Sequence, residues 1–191
     1  MKALILNGSQ KGDDSLALLE RILVTELEAQ GWNVDSILLH EKKIANCMGC
    51  FGCWTKTPGL CVINDFGRQI PGQMINSDLV VYLSPVTFGG YSSVLKKAMD
   101  RIVPLMMPFF MKIDGEIHHK TRYAKYPRMM SLGLMPGPDD ESEKLFRALL
   151  TRNAINFHAP GHASEVFLKD DSEEKIRAGV ARALVNAGVK K

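Results

Sequence analysis

The sequence has no run of the roughly 18 apolar residues that a membrane span requires. It has no excess of one charge. Its 24 Lys and Arg stand against 21 Asp and Glu, for a formal net charge of +3. No basic cluster with interleaved aromatics accompanies that balance, so neither nucleic acid nor a membrane surface is an expected partner. The two common nucleotide signatures, G-x-G-x-x-G and G-x-x-x-x-G-K-[ST], are both missing, which removes support for a Rossmann dinucleotide site and for a P-loop triphosphatase. No Ser-His-Asp or paired-carboxylate arrangement can be argued from spacing. Internal repeats and low-complexity tracts are absent. The N-terminal MKALILNGSQ carries too short an apolar stretch for a signal peptide, so a cytoplasmic location is expected. Cysteine is missing everywhere except one stretch: all four cysteines lie between Cys47 and Cys61. A secreted disulfide scaffold would scatter its cysteines through a shorter chain, whereas clustered cytosolic thiols point to a metal, an iron–sulfur cluster or redox chemistry.

What is present reads as one α/β domain over residues 1–191, with 46% hydrophobic and 24% charged residues. Lys2 to Asn7 is a short apolar run ending in Gly8-Ser9, the pattern of a buried parallel strand. Asp14-Ser15 offers a helix start, and Leu16, Leu19, Ile22, Leu23 and Leu27 recur at helical spacing up to Gly31. Strands are expected at 34–39, 78–84, 127–134 and 162–168. Helical stretches are expected at 66–75 (disturbed at Pro71-Gly72), 92–103, 139–154 and from the Ser172 cap to Gly188. Strand and helix thus alternate five times, which implies a parallel sheet with helices on both faces, and five strands fit the doubly wound order 2-1-3-4-5. Two stretches stand apart: a cysteine loop at 46–64 and an elaborated loop or hairpin at 104–127, containing Asp114-Gly115. Adjacent His118 and His119 in a strand would face opposite ways, so they are not an expected metal pair.

In such a sheet, ligands bind beyond the carboxyl ends of the strands where the order reverses. Two loops belong there. The first, Gly8-Ser9-Gln10-Lys11-Gly12-Asp13-Asp14-Ser15, presents backbone N–H groups and a helix N-terminus, together with two hydroxyls and one lysine, to an anion. Asp13 and Asp14 should point away from that anion. The second, Ser84-Pro85-Val86-Thr87-Phe88-Gly89-Gly90-Tyr91-Ser92, combines a stiff proline, paired glycines and two aromatics. It suits one wall of a flat slot for a flavin ring.

The pair GSQKGDDS and SPVTFGGYSS resembles the NADPH-dependent FMN reductase and iron–sulfur flavoprotein group of the flavodoxin-like superfamily, over residues 2 to about 168. The resemblance implies a flavodoxin-like three-layer sandwich. It implies that Ser9, Lys11, Ser15 and Leu16 hold the FMN phosphate. It places Pro85, Val86, Thr87, Phe88 and Gly89 along the isoalloxazine, and residues near Leu132 and Gly133, onward to Pro136, across the ring's far side. Gln10-Lys11 stands where Pro-Arg is common in the family.

The third constellation is Cys47-x-x-Cys50-x-x-Cys53 followed by Cys61. Four thiolates suit a [4Fe–4S] cluster, and also zinc, although structural zinc more often uses two separated pairs. A disulfide or free thiols are the alternatives. The spacing resembles the compact motif of iron–sulfur flavoproteins, with a longer last gap before Cys61. Because the loop follows the second strand, it is expected to leave the same sheet edge as the phosphate loop and to lie beside the flavin.

These readings converge on an FMN-dependent oxidoreductase. Its electron donor would be NAD(P)H or a reduced ferredoxin, and its acceptor a quinone, a free flavin or another small molecule, through a cluster if one is held. Hydride transfer to flavin needs no protein acid or base, so no catalytic residue is assigned. An electron carrier without its own substrate and a cysteine-based redox sensor are the rivals. The LMMPFFM run at 105–111 is rich in Met and Phe, as interfaces are, so a homodimer or homotetramer is expected.

Overall fold

The computed structural model describes residues 1–113 and 115–189; Asp114, assigned above to the 104–127 loop, lies outside them, as do residues 190 and 191. Five parallel strands form the central sheet: β1 (Lys2–Asn7), β2 (Asn33–Leu38), β3 (Leu79–Pro85), β6 (Arg128–Met135) and β7 (His162–Leu168). Their order is β2-β1-β3-β6-β7. With the hairpin strands β4 (Met106–Ile113) and β5 (Glu116–Thr121) set aside, this is the anticipated 2-1-3-4-5 order.

Period-two alternation divides the core. Ala3 and Ile5 of β1, with Val81 and Leu83 of β3, join the face covered by α1 (Ala17–Glu28) and α6 (Glu173–Asn186). Leu4, Leu6, Val80 and Tyr82 point the other way, beneath α3 (Ile70–Ile75), α4 (Ser93–Met99) and α5 (Asp140–Asn156). Helices on both faces make the three-layer sandwich, and burial on both sides explains why β1 and β3 read as unbroken apolar runs.

Several boundaries differ from the sequence reading, each for a local reason. Helix α1 begins at Ala17 rather than at Asp14-Ser15. There Asp13 folds back to accept the Ser15 N–H at 3.0 Å, an Asx turn that postpones the helix. Pro71 opens α3 rather than disturbing it, because a proline in the first turn gives up no helical hydrogen bond. Residues 66–68 before it form a short 3₁₀ turn. Helix α4 stops at Met99, and a separate 3₁₀ turn at Val103–Leu105 carries Pro104. The elaborated loop is an antiparallel hairpin, β4 against β5, with a register shift between Met106 and Phe110 where Pro108 has no N–H to give. Among the described residues, no helix is long and apolar enough to cross a membrane.

Candidate functional site

The strand order reverses between β1 and β3, and the loops that follow them are locked together. Gly8 N–H donates to Leu83 O at 2.8 Å, and Ser92 Oγ donates to Gly8 O at 2.6 Å. A Cβ on Gly8 would stand 2.7 Å from both Leu95 Cβ and Ser92 Oγ, so only glycine lets the first loop approach α4 this closely. The Asn7 carboxamide accepts the Ser9 N–H at 2.8 Å and fixes the loop's exit. Ser9 is buried, and His40 Nδ1 lies 3.2 Å from its carbonyl oxygen.

The residues anticipated for a phosphate separate into two neighbourhoods. Ser9 and Leu16 line a cavity of about 290 Å³ with Asn7, Gln10 and His40. Asp13, Asp14, Glu20 and Glu41 share its wall, so the two aspartates do not point away from it. Lys11 lines a neighbouring cavity of about 170 Å³ with Lys42 and Lys97, and Gln10 and His40 belong to both cavities. Ser15 is exposed and engaged by Asp13. That contact, to the Ser15 hydroxyl and N–H, holds the Asp13 carboxyl below its ordinary range. Helices α4, α5 and α6 have side-chain caps, from Ser92, Asp139 and Ser172. Helix α1 has none, so donors of its first turn remain for an external anion.

The second loop makes a wall. Pro85 ends β3, Val86 N–H donates to Leu134 O at 2.9 Å, and Thr87 and Gly90 exchange backbone hydrogen bonds. Between them the chain turns left-handed, with φ of 49° at Phe88 and 72° at Gly89. A Cβ on Gly89 would stand 2.9 Å from Leu145 in α5. Phe88 is 99% exposed, so its ring fills no core space. Tyr91 does the opposite: it meets Phe146 edge-on at 5.3 Å, and burial pushes its hydroxyl up to about 12. Val86 and Phe88 line a cavity of about 200 Å³ with Met135, Pro136 and Gly137. Leu132 and Gly133 lie inside β6. Leu132 is fully buried, and a Cβ on Gly133 would stand 2.7 Å from Val86 and 2.8 Å from Phe146. They underlie the wall, and the residues that face the cavity come two to four positions later.

The cysteine loop is built separately. Gly49 and Phe51 take left-handed backbone, and α2 (Gly52–Thr55) follows at once. A Cβ on Gly52 would stand 2.7 Å from Val62, which makes a glycine obligatory between Cys50 and Cys53. Trp54 stacks on Phe51 at 5.2 Å and donates its indole N–H to Met106 O at 2.9 Å, tying the loop to the hairpin. All four thiols are free, and all four line one small cavity of about 40 Å³, shared with Ile63 and Val103. Burial pushes the Cys53 thiol up, and its neighbours Cys61, Cys47 and Cys50 push the same way. Among the described residues, no three His, Cys, Asp or Glu side chains are grouped closely enough to bind one metal ion.

The base of this loop is closed by residues that sequence reasoning missed. Arg101 is fully buried, and its two terminal nitrogens hold both carboxylate oxygens of Asp65 at 2.9 Å. They also donate to Ala45 O at 2.9 Å, Ile63 O at 3.2 Å and Cys61 Sγ at 3.3 Å. Asp65 in turn accepts the Ala45 N–H at 2.7 Å. In SVLKKAMDRIV, Arg101 reads as one more cation of a helix end, and nothing in the pattern marks it as buried.

Burial opposes the Asp65 charge, but the Arg101 fork and the Ala45 N–H outweigh it and hold the carboxyl below its ordinary range. A lowered folded value means that its stabilisation is complete above the ordinary aspartate range, near pH 4, and is lost as pH falls through the folded value. The stability difference between the protein and Asp65→Asn should therefore shrink between pH 7 and pH 3 in urea titrations. A difference constant over that range would contradict the pairing.

The cysteine loop packs against the end of α4, where Cys47 and Gly49 share a cavity with Lys96, Met99 and Asp100. Ser92, which touches Gly8, precedes α4 and Arg101 follows it, and seven helical residues at a rise of about 1.5 Å separate the two by about 10 Å along the helix. After a 3₁₀ turn at Leu39–Glu41 the chain passes beside Arg101, which donates to Ala45 O, before the cysteines begin. The cysteine cavity shares no lining residue with the cavities at the two switch-point loops.

Comparison with known proteins places these sites in context. Residues 1–121 match the model of the NADPH-dependent FMN reductase family. An iron–sulfur flavoprotein of Methanocaldococcus jannaschii is 34% identical over 119 residues, 61% of this chain and 61% of that protein. An iron–sulfur flavoprotein of Archaeoglobus fulgidus is 31% identical over 104 residues, 54% of this chain and 46% of that protein. The match thus spans about half to three fifths of these relatives' length. Among solved structures, an azoreductase of Bacillus anthracis superposes with a TM-score of 0.67 at 17% identity, covering 98% of each chain. An NAD(P)H:quinone oxidoreductase of Methanothermobacter marburgensis gives 0.67 at 11% identity, covering 98% of this chain and 95% of that one. These two likenesses are likenesses of fold.

Proposed function

The chain belongs to the NADPH-dependent FMN reductase family, and from that premise we propose that it is an FMN-dependent oxidoreductase of one flavodoxin-like domain. Its donor is NAD(P)H or a reduced ferredoxin-type carrier, and its acceptor a quinone, a free flavin or another small molecule. The observation that carries the reading is the switch point itself. An uncapped helix N-terminus and the buried Ser9 stand on one side, and the exposed Phe88 wall on the other. Bound there, FMN supplies hydride and single-electron chemistry.

The chain's own residues bind and orient it. Ser9, Ser15 and the backbone N–H at Leu16 donate to the phosphate, and Lys11 adds charge from the adjoining cavity. For this, Asp13 must release the Ser15 N–H to the incoming anion. Pro85, Val86, Thr87, Phe88 and Gly89 lie along the ring, with Leu132 and Gly133 supporting the wall from beneath. FMN is favoured over FAD because the loop lacks the glycine pattern that holds a pyrophosphate.

Flavin-fluorescence titration tests this. FMN should bind more tightly than FAD. Ser9→Ala and Ser15→Ala should each weaken FMN by about 1 kcal/mol, roughly fivefold, the usual scale of one hydrogen bond. Tighter binding of FAD, or unchanged affinity in both variants, would remove these residues from the site. Steady-state NAD(P)H oxidation by the FMN-loaded protein separates an enzyme from a carrier without substrate.

We assign Cys47, Cys50, Cys53 and Cys61 to a [4Fe–4S] cluster. The donor chemistry fits: four thiols line a single cavity that is otherwise apolar. A cubane takes one thiolate per iron, and the four thiols that line this cavity supply that number. When bound, such a cluster supplies one-electron transfer.

Oligomer formation is the remaining part of the proposal. Phe109 and Phe110 of β4 and Ile117 of β5 are 58%, 61% and 67% exposed. Large apolar side chains held in water on one hairpin suit contact with a second copy of the chain. Light scattering at micromolar concentration should give at least a dimer, and a monomer would contradict this.

A further inference from the structure

We infer that Arg101 is the positioning residue of the cysteine centre, aiming an N–H at the Cys61 sulfur and thereby raising the reduction potential of the group that the thiols hold. The inference rests on the assignment of the four cysteines to a [4Fe–4S] cluster.

Arg101 touches both ends of the cysteine loop and one of its thiols. It donates to Ala45 O before the loop, to Ile63 O after it, and to Cys61 Sγ at 3.3 Å. Its Nε is buried without a partner, so desolvating this cation is not fully offset. A purely structural staple would be met as well by apolar residues of similar volume. What apolar residues cannot supply is a directed N–H at sulfur.

The orientation is fixed from two sides. Asp65 grips the fork with both oxygens. Behind it, a Cβ on Gly67 would stand 3.1 Å from Arg101 Cζ, so the backbone packs closely against the guanidinium. Asp65 also cancels the full charge of Arg101, which leaves the N–H dipole as the local influence on Cys61. A hydrogen bond to a ligand sulfur stabilises the more negative, reduced state of a cluster and so raises its potential. Lysine can keep a charge beside Asp65, but it lacks the planar fork that reaches carboxylate, carbonyls and sulfur together.

The experiment uses the full chain, loaded with FMN and reconstituted anaerobically with ferrous iron and sulfide, beside Arg101→Lys. Both should assemble an iron–sulfur chromophore. At a fixed solution potential, the reduced-to-oxidised ratio should be at least about tenfold lower in the variant, a fall of about 59 mV for a one-electron couple. Loss of iron from a variant that still binds FMN would show that Arg101 only holds the loop together and would overturn its role in setting the potential.

Because Arg101→Lys can fail to fold, a second measurement uses the unmodified sequence. Protein grown with guanidino-¹⁵N arginine should show nitrogen hyperfine coupling to the reduced cluster in pulsed EPR. No iron–sulfur chromophore in the unmodified protein would remove the cluster assignment and this inference with it. A chromophore with no ¹⁵N coupling, or with the same potential and iron content in the variant, would overturn the role of Arg101 alone.

Discussion

Replacing Asp65 with alanine should destabilise the protein by about 3–5 kcal/mol, the range for leaving one member of a buried ion pair uncompensated. The expectation follows from geometry. Arg101 is 0% and Asp65 7% exposed, and the fork is bidentate. Without the carboxylate, a guanidinium remains in the interior with two carbonyls and a thiol for company, and the Ala45 N–H also loses its acceptor. For a chain of this size the loss corresponds to a fall in Tm of about 6–20 °C. By contrast, removing an exposed pair such as Lys96–Asp100, with side chains 58% and 45% exposed, should cost under about 1 kcal/mol. Differential scanning calorimetry on Asp65→Ala and Asp100→Ala compares the two directly. Equal, small shifts would mean that Arg101 reaches solvent.

Cys50→Ser should abolish iron binding yet leave FMN affinity unchanged. After anaerobic reconstitution the unmodified protein should hold about four irons per chain, the [4Fe–4S] stoichiometry, and the variant fewer than one. The independence of the two sites is the structural part of this expectation. Cys50 lines the cysteine cavity and neither of the switch-point cavities. A variant that keeps its iron would remove Cys50 from the ligand set. A variant that loses FMN as well would show that the cysteine loop and the phosphate loop fold as one unit. If the unmodified protein yields no iron–sulfur spectrum, the cluster assignment fails and a flavin-only enzyme remains.

Much of this architecture was legible in the chain because it rests on local or periodic signals. The apolar runs KALILN and LVVYLS could only be strands buried on both faces, and both are. Five alternations of strand and helix implied a parallel sheet with helices on both faces, which the doubly wound order 2-1-3-4-5 fits. Ser92 and Ser172 were readable as caps because a hydroxyl before a helix has few other uses. The Pro-to-Gly-Gly loop was likewise readable as a turn after β3, which the backbone bonds between Thr87 and Gly90 close.

What the sequence by itself determined, then, is the α/β sandwich with its parallel sheet and the confinement of all four cysteines to one loop. Each depends on spacing along the chain. Tertiary structure alone decided the rest, because each remaining feature depends on contacts between distant residues. Arg101 and Asp65 are 36 positions apart, and no periodicity signals that they meet. The same holds for Lys11 beside Lys42 and Lys97, and for Gly133 beneath Val86. It holds above all for the path of the cysteine loop, which the Arg101 fork ties to the end of α4 and the bond from Trp54 to Met106 ties to the hairpin.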